Sequence, residues 1–246
     1  MRLPTIQEIR LAKARKGLSF FTLHTKPDYL LGWVHKEICD ELDRFLQDVA
    51  DKKSPRLIIT MPPRSGKSEL VSRRFPAFAL GRNPELQIIA TSYSSDLSQR
   101  FNRDVQRVID DEKYFELFPN TRLSNSRVRT GAYRSCGVGG GITGQGADIL
   151  IIDDPIKDRA QAGSKTIRDS IWDWYTSTAY TRLSPGGGVI VMATRWHTDD
   201  LIGRLIQRMG EGDTFRIVNY PAIAEHDELH RKAGEALHPE RYPLST

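Results

Sequence analysis

The residues of this sequence best suited to chemistry are the run Gly66, Lys67, Ser68 and the pair Asp153, Asp154. The first closes RLIITMPPRSGKSEL, residues 56–70, in which an apolar stretch meets a tight loop and then a helical pattern. Backbone N–H groups of such a loop, and of the helix turn that follows, are unpaired donors carrying partial positive charge. Pro63, Arg64, Ser65, Gly66, Lys67, Ser68 and Glu69 are therefore expected to hold a polyphosphate. Lys67 would reach its outer phosphates and the Ser68 hydroxyl would complete the coordination of a magnesium ion. Against the pattern G-x-x-x-x-G-K-[ST], Met61 stands where the first glycine belongs. Pro62 and Pro63 remove two N–H donors and stiffen the loop, so the cradle falls mainly to residues 64–68. A helix start with a chance GKS is the alternative, and the strand before it and helix after it weigh against that reading.

The second stretch, ADILIIDDP, runs without a break from Ile149 to Ile152 into the two aspartates. Acids at the carboxyl end of a buried parallel strand lie on the rim where open α/β sheets bind ligands. Asp153 is expected to hold magnesium, largely through water. Asp154 would orient and polarise an attacking water. Read alone, DDP is also a turn former. A third apolar run, VIVMATRWH at 189–197, ends near Thr194, whose hydroxyl could hydrogen-bond the terminal phosphate or the water. His197 with Asp199 and Asp200 offers a metal-ligand reading, but such runs more often cap helices, and DDLIGRLIQRM has a helical pattern.

These groups need a frame. The strand expected from 56 is followed by a helix, ELVSRRFPAFAL, closed by Gly81 and Pro84, and by a strand at 86–93. Ser94, Ser95 and Asp96 can cap a helix striped by Leu97, Phe101, Val105, Val108 and Ile109. Arg100, Arg103 and Arg107 flank that stripe, either as a solvated face paired with Asp104, Asp110 and Asp111 or as an arginine offered to a neighbouring subunit. The first fifty residues read as helical, with a partial stripe of Ile6, Ile9, Leu11 and Leu18 broken at 26–29. A second helix from about Trp33 buries Val34, Ile38, Leu42, Phe45, Leu46 and Val49. Tyr29, Trp33 and His35 either meet an adenine or pack that helix on the sheet.

Between 118 and 147 the composition shifts to Arg, Ser, Thr and Gly, read as short strands or a hairpin, anchored by Val128, Tyr133 and Val138, and then a mobile glycine-rich loop, GGGITGQG. Arg122, Arg127, Arg129 and Arg134 suit either a nucleic-acid backbone or a solvated edge. A helix carrying Ile167, Ile171, Trp172, Trp174 and Tyr175 leads through RLSPGGG, read as a turn, to the strand at 189. TFRIVNYPAI reads as the last strand, and residues 226–246 read as the start of a linker. The expected division is a helical segment at 1–50, a core at 51–225 and that linker.

With 246 residues, 39% hydrophobic, the chain is long enough for one large α/β domain with a real core. A net charge of +5 suits a protein that meets a polyanion. Cys39 and Cys136 have no metal-ligand spacing and read as reduced thiols of a cytoplasmic protein. The N-terminus has no secretory pattern, and no stretch is long and apolar enough for a membrane span.

Taken together, MPPRSGKSE, ATSYSSDLSQRFNRDVQ, GGGITGQGADILIIDDP, the WDWY helix and MATRWHTDDL resemble, in order and spacing, the ATPase half of the large terminase subunit of tailed bacteriophages. The resemblance covers about residues 27–242. It implies a P-loop NTPase of the additional-strand, catalytic-carboxylate class, with a mainly parallel sheet flanked by helices. It further implies ATP hydrolysis with Mg²⁺, driving double-stranded DNA into a procapsid at the portal, in the cytoplasm of the infected bacterium. The implied partners are DNA, the portal protein, the small terminase subunit and further copies in a ring, with the isolated fragment itself a possible monomer. By motif position, Lys67 and Ser68 fall on the phosphate and magnesium residues, Asp153 on the magnesium acid, Asp154 on the catalytic carboxylate and Thr194 on the coupling motif. Arg64 matches an arginine of the phosphate loop, and Arg100 and Arg103 are candidates to act between subunits. Two departures stand out. Asp154 occupies a position where the family often has Glu, so its oxygens sit about one C–C bond further back. The nuclease half of the family is absent from these residues, so no nuclease activity is expected. A helicase-like translocase and a nucleotide-gated DNA-binding module are the competing readings.

Overall fold

The apolar runs of the sequence become neighbouring strands of one sheet. The structure, a computed structural model, describes residues 2–121, 133–142, 144 and 146–240. Helices α1 (Ile6–Lys16), α2 (Leu18–Thr25) and α3 (Trp33–Ala50) precede β1 (Arg56–Thr60). After the loop, α4 (Lys67–Glu69) continues through a π-helical turn, Leu70–Arg74, into α5 (Phe75–Arg82). There follow β2 (Ile88–Ser92), α6 (Ser95–Ile109), α7 (Glu112–Leu117), β3 (Tyr133–Gly137) and β4 (Ala147–Asp153). The remainder comprises α8 (Arg159–Gly163), α9 (Lys165–Trp174), β5 (Leu183–Ala193), α10 (Leu201–Gln207) and β6 (Arg216–Asn219).

The strand order is β3-β2-β4-β5-β1-β6, and every strand pairing within this sheet is parallel. A parallel sheet needs cover on both faces, which explains why β1 and β2 are buried at every residue. Alternate residues serve the two sides. Leu57, Ile59, Ile88, Ala90, Ile149, Ile151, Ile190 and Met192 pack toward the helices of the first half, including the whole expected stripe of α3. Ile58, Ile89, Leu150, Ile152, Val189 and Val191 pack toward α9 and α10. β5 lies between β1 and β4, as expected for the additional-strand class. Its register sets Ala193 beside Thr60 and Met192 beside Asp153, so the three strands end nearly flush.

Several local expectations need correction. Ile6 and Ile9 do not belong to a core face, being 72% and 41% exposed. Gly17 separates α1 from α2, so Leu18 starts a new helix, and α1 packs through Leu11 and Ala14. In the stretch read as short strands or a hairpin, Tyr133–Gly137 is a strand, β3, that pairs parallel to β2 as an edge strand. β5 begins at Leu183, so the stretch read as a turn is strand, with a register shift against β4 between Ala147 and Ile149. Arg122, Arg127, Val128, Arg129, Thr143 and Gln145 lie outside the described residues. Beyond β6 the chain turns back on α3: Ile223 bridges to Ala236, and Arg231, Leu237 and His238 are buried. Among the described residues, no helix is long and apolar enough to cross a membrane.

Candidate functional site

At the carboxyl rim, the loops leaving β1, β4 and β5 bring three side chains into one cluster. The Lys67 ammonium, 5% exposed, lies 2.9 Å from Asp154 Oδ2 and donates to Thr194 Oγ1 at 2.7 Å. Thr194 donates its backbone N–H to Asp154 Oδ1 at 2.7 Å and its hydroxyl to the Met61 carbonyl at 3.3 Å. Because β5 sits between β1 and β4, Thr194 links the lysine of one strand end to the carboxylate of the other.

Asp154 holds a left-handed backbone, φ +46°. That region disfavours L residues by about 1–2 kcal/mol and persists where surrounding bonds fix it. Here they do: its N–H donates to the Met192 carbonyl at 2.8 Å and its carbonyl accepts from Tyr93 at 3.2 Å. Arg64 is likewise left-handed, φ +58°, and its side chain is exposed at the loop tip.

Asp153 is buried, 1% exposed. Ser72, from the π-helical turn after the loop, donates to its Oδ2 at 2.6 Å. Its Oδ1 is buried with no hydrogen-bond partner among the described residues. Burial and then the neighbouring Asp154 charge raise its pKa well above the usual carboxylate range, against Ser72, Lys67 and a smaller contribution from Ser68. A buried acceptor oxygen beside a loop serine suits a hard divalent cation that takes one carboxylate, a hydroxyl and otherwise water or phosphate oxygens. Such a site needs no protein cage. Among the described residues, no group of three His, Cys, Asp or Glu side chains gathers to form one.

The loop is braced from behind. Gly66 adopts φ +86°, and a Cβ there would come within 2.6 Å of the Tyr29 hydroxyl and 2.9 Å of His35 Nε2. Gly32 N–H donates to His35 Nδ1 at 3.1 Å, which leaves the proton on Nε2 to donate to the Ser65 carbonyl at 2.8 Å. Tyr29 and His35 thus back the loop from the side of α3. Trp33 packs against Tyr220 and His230.

Of the expected site residues, Lys67, Asp154 and Thr194 are in mutual contact, and Ser68 and Asp153 adjoin them. Ser65 is buried with its carbonyl held, while Pro63 lies at the exposed bend. Glu69 is not joined to the cluster; its carboxylate pairs with Arg74 at 2.9 Å and Arg73 at 3.7 Å. Arg100 and Arg103 are exposed on α6, whereas Arg107 pairs with Asp104. His197 accepts from the Asp199 N–H, Asp199 binds Arg168 and Arg204, and Asp200 caps α10, which accounts for all three without a metal. Ser72 escaped the sequence reading because no residue pattern announces a π-helical turn.

A six-stranded parallel sheet, a Lys-Ser loop after β1, paired acids at the carboxyl end of β4 and an intervening β5 define an α/β P-loop NTPase. Residues 58–243 match the family model described as "Terminase large subunit, T4likevirus-type, N-terminal". The chain belongs to that family. No curated protein matched it. Among solved structures, the HK97 bacteriophage large terminase is similar at 16% identity and a TM-score of 0.46, over 76% of this chain and 40% of that one. The chain therefore spans well under half the length of that terminase. A LAO/AO transport system kinase gives 14% identity and a TM-score of 0.22, over 85% and 77%.

Proposed function

We propose that this domain hydrolyses ATP with Mg²⁺ and that the hydrolysis drives double-stranded DNA into a procapsid. The observation that supports this best is the convergence of Lys67, Asp154 and Thr194 at the flush ends of β1, β4 and β5, beside the unpartnered Asp153 oxygen. Lys67 would neutralise charge on the outer phosphates, helped by Arg64 at the loop tip. Asp153 and Ser68 would hold a magnesium ion, which would supply neutralisation of the phosphate charge. Asp154 would accept a hydrogen bond from water and take its proton, and Thr194 would fix that carboxylate through its backbone N–H. Arg100 or Arg103, exposed on α6, would serve the nucleotide of a neighbouring copy in a ring. Residues 51–225 form the motor core in this reading, with 1–50 packed on it and 226–240 folded back against α3. DNA, portal protein and small subunit are the partners, in the cytoplasm of the infected cell.

Steady-state phosphate release from the purified chain, with and without duplex DNA, tests the reading. Mg²⁺-dependent turnover abolished by Lys67→Ala is expected, and absence of turnover under both conditions would refute it. Unwinding of a forked duplex would point to a helicase instead.

A further inference from the structure

Away from the rim, the N-terminal helices carry an apolar groove that nothing in the described chain covers. Ile6 and Ile9 of α1, Phe20 and Leu23 of α2, and Pro27 line a hollow of about 670 Å³ together with Arg10, Lys13 and His24. Ile6 is 72% exposed and Phe20 47%, and Leu3 just upstream is 86% exposed. Scattered apolar residues on a surface are ordinary; a contiguous set lining one hollow marks an interaction site.

The groove is preformed. Thr5 and Glu8 cap α1 reciprocally, and Asp43 accepts the N–H of Leu18 at the start of α2. Arg15 binds the carbonyls of Leu117 and Glu116. The opposite side of the helix pair is anchored by Ala14, Leu18 and Phe21, the last ringed by Phe78, Tyr114 and Phe118. The exposed face is therefore held in place by the core and does not arise from a loosely attached tail.

Its charge has one sign. The ionisable residues of the lining are Arg10, Lys13 and His24, with no carboxylate among them. Lys13 lies over the Phe20 ring at 5.4 Å, and His24 is tied to Glu116 at 3.2 Å. The carboxylates nearest in sequence are already engaged, Glu8 by Arg2 and Asp28 by Lys26. Arg10 and Lys13 thus form a basic rim on an apolar floor. We propose that this groove docks an amphipathic helix of a partner protein, with an apolar stripe flanked by carboxylates. Helix-in-groove recognition uses anchors at i, i+3 or i+4 and i+7, and α1, about 16 Å long, offers a bed for about three turns. A second copy docking the same face symmetrically would set Arg10 and Lys13 against their own counterparts. Nucleic acid would find apolar carbons where phosphates need donors.

The test uses three 18-residue helical probe peptides sharing one leucine stripe and flanked by Glu, by Lys or by Gln, titrated by fluorescence anisotropy. The Glu peptide is expected to bind at least tenfold tighter than the Lys peptide. Ile9→Ser with Leu23→Ser should weaken it tenfold or more, and Arg10→Glu with Lys13→Glu should reverse the Glu-over-Lys preference. Phosphate release and the melting temperature should stay unchanged in both variants, which separates lost docking from lost folding. Equal binding of all three peptides, or binding indifferent to the variants, overturns the proposal. So does concentration-dependent self-association abolished by the serine variant, which assigns the face to a second copy, or tighter binding to anionic vesicles or duplex DNA than to the Glu peptide.

Discussion

The two ends of β1 each bury a cation, and they bury it differently. At the amino end, Arg56 donates through Nε to Asp213 at 2.7 Å and through Nη2 to the Tyr180 hydroxyl at 3.0 Å. Its Nη1 reaches the carbonyls of Ser54, Pro55 and Gly187. Past the carboxyl end, Lys67 pairs with Asp154 next to Asp153, whose Oδ1 has no hydrogen-bond partner among the described residues. Strain does not separate the two regions, since Lys52 and Ser54 near Arg56 are left-handed just as Arg64 and Asp154 are. Satisfaction separates them. Each nitrogen of Arg56 has an acceptor, whereas Asp153 Oδ1 has no hydrogen-bond partner among the described residues and is an oxygen suited to an incoming cation.

That contrast can be broken by substitutions that trade stability against turnover. Lys67→Ala and Asp154→Asn should lower steady-state phosphate release by about 10²- to 10⁴-fold while leaving the melting temperature close to the parent's. A large loss of stability with normal turnover of the folded fraction would reverse the assignment. Arg56→Ala should do the opposite, destabilising by about 3–5 kcal/mol in urea titrations because Asp213 and the loop carbonyls lose their partner. Turnover per folded molecule should hold.

Ser72→Ala should be milder and sharpen the comparison within the rim. It removes the donor to Asp153 Oδ2, so the Mg²⁺ concentration for half-maximal turnover should rise several-fold, with a smaller change at saturating metal. An unchanged metal requirement would make Ser72 mere packing.

The smallest effect concerns Asp43, a carboxylate midway between the two kinds. Burial pushes its pKa up to about 6, against the N–H of Leu18, which favours the charged form. With an unfolded value near 4, the folded chain holds the proton more tightly, so the contribution to stability falls as pH rises from about 4 to 6. The stability difference between the parent and Asp43→Asn should shift in that window, read from urea midpoints, and stay flat above pH 7.

The sequence exposed the strand spine because both faces of a parallel sheet demand unbroken apolar runs, as Ile149–Ile152 shows. Caps were equally readable: Ser94 does accept the N–H of Leu97, and Asp200 that of Gly203. Lys67, Asp154 and Thr194 were each visible as a polar residue after such a run. What stayed hidden depends on partners distant in sequence or on backbone phase. The π-helical turn shifts the phase of the helix after the loop and brings Ser72 to Asp153, while Glu69 pairs with Arg74. β3 owes its place to pairing with β2, and its edge residues are only half-buried. The roles of Tyr29 and His35 depend on which side of the loop α3 approaches.

The left-handed bend at Asp154 restricts what chemistry this position can exchange. Among L residues, Asp and Asn tolerate that geometry best, because their short polar side chains bond locally, as Oδ1 does to Thr194 N–H. Installing the longer glutamate there would move the acid outward and at once remove the residue type that suits the curve. An Asp154→Glu swap would therefore demand a change of chain path along with the change of side chain.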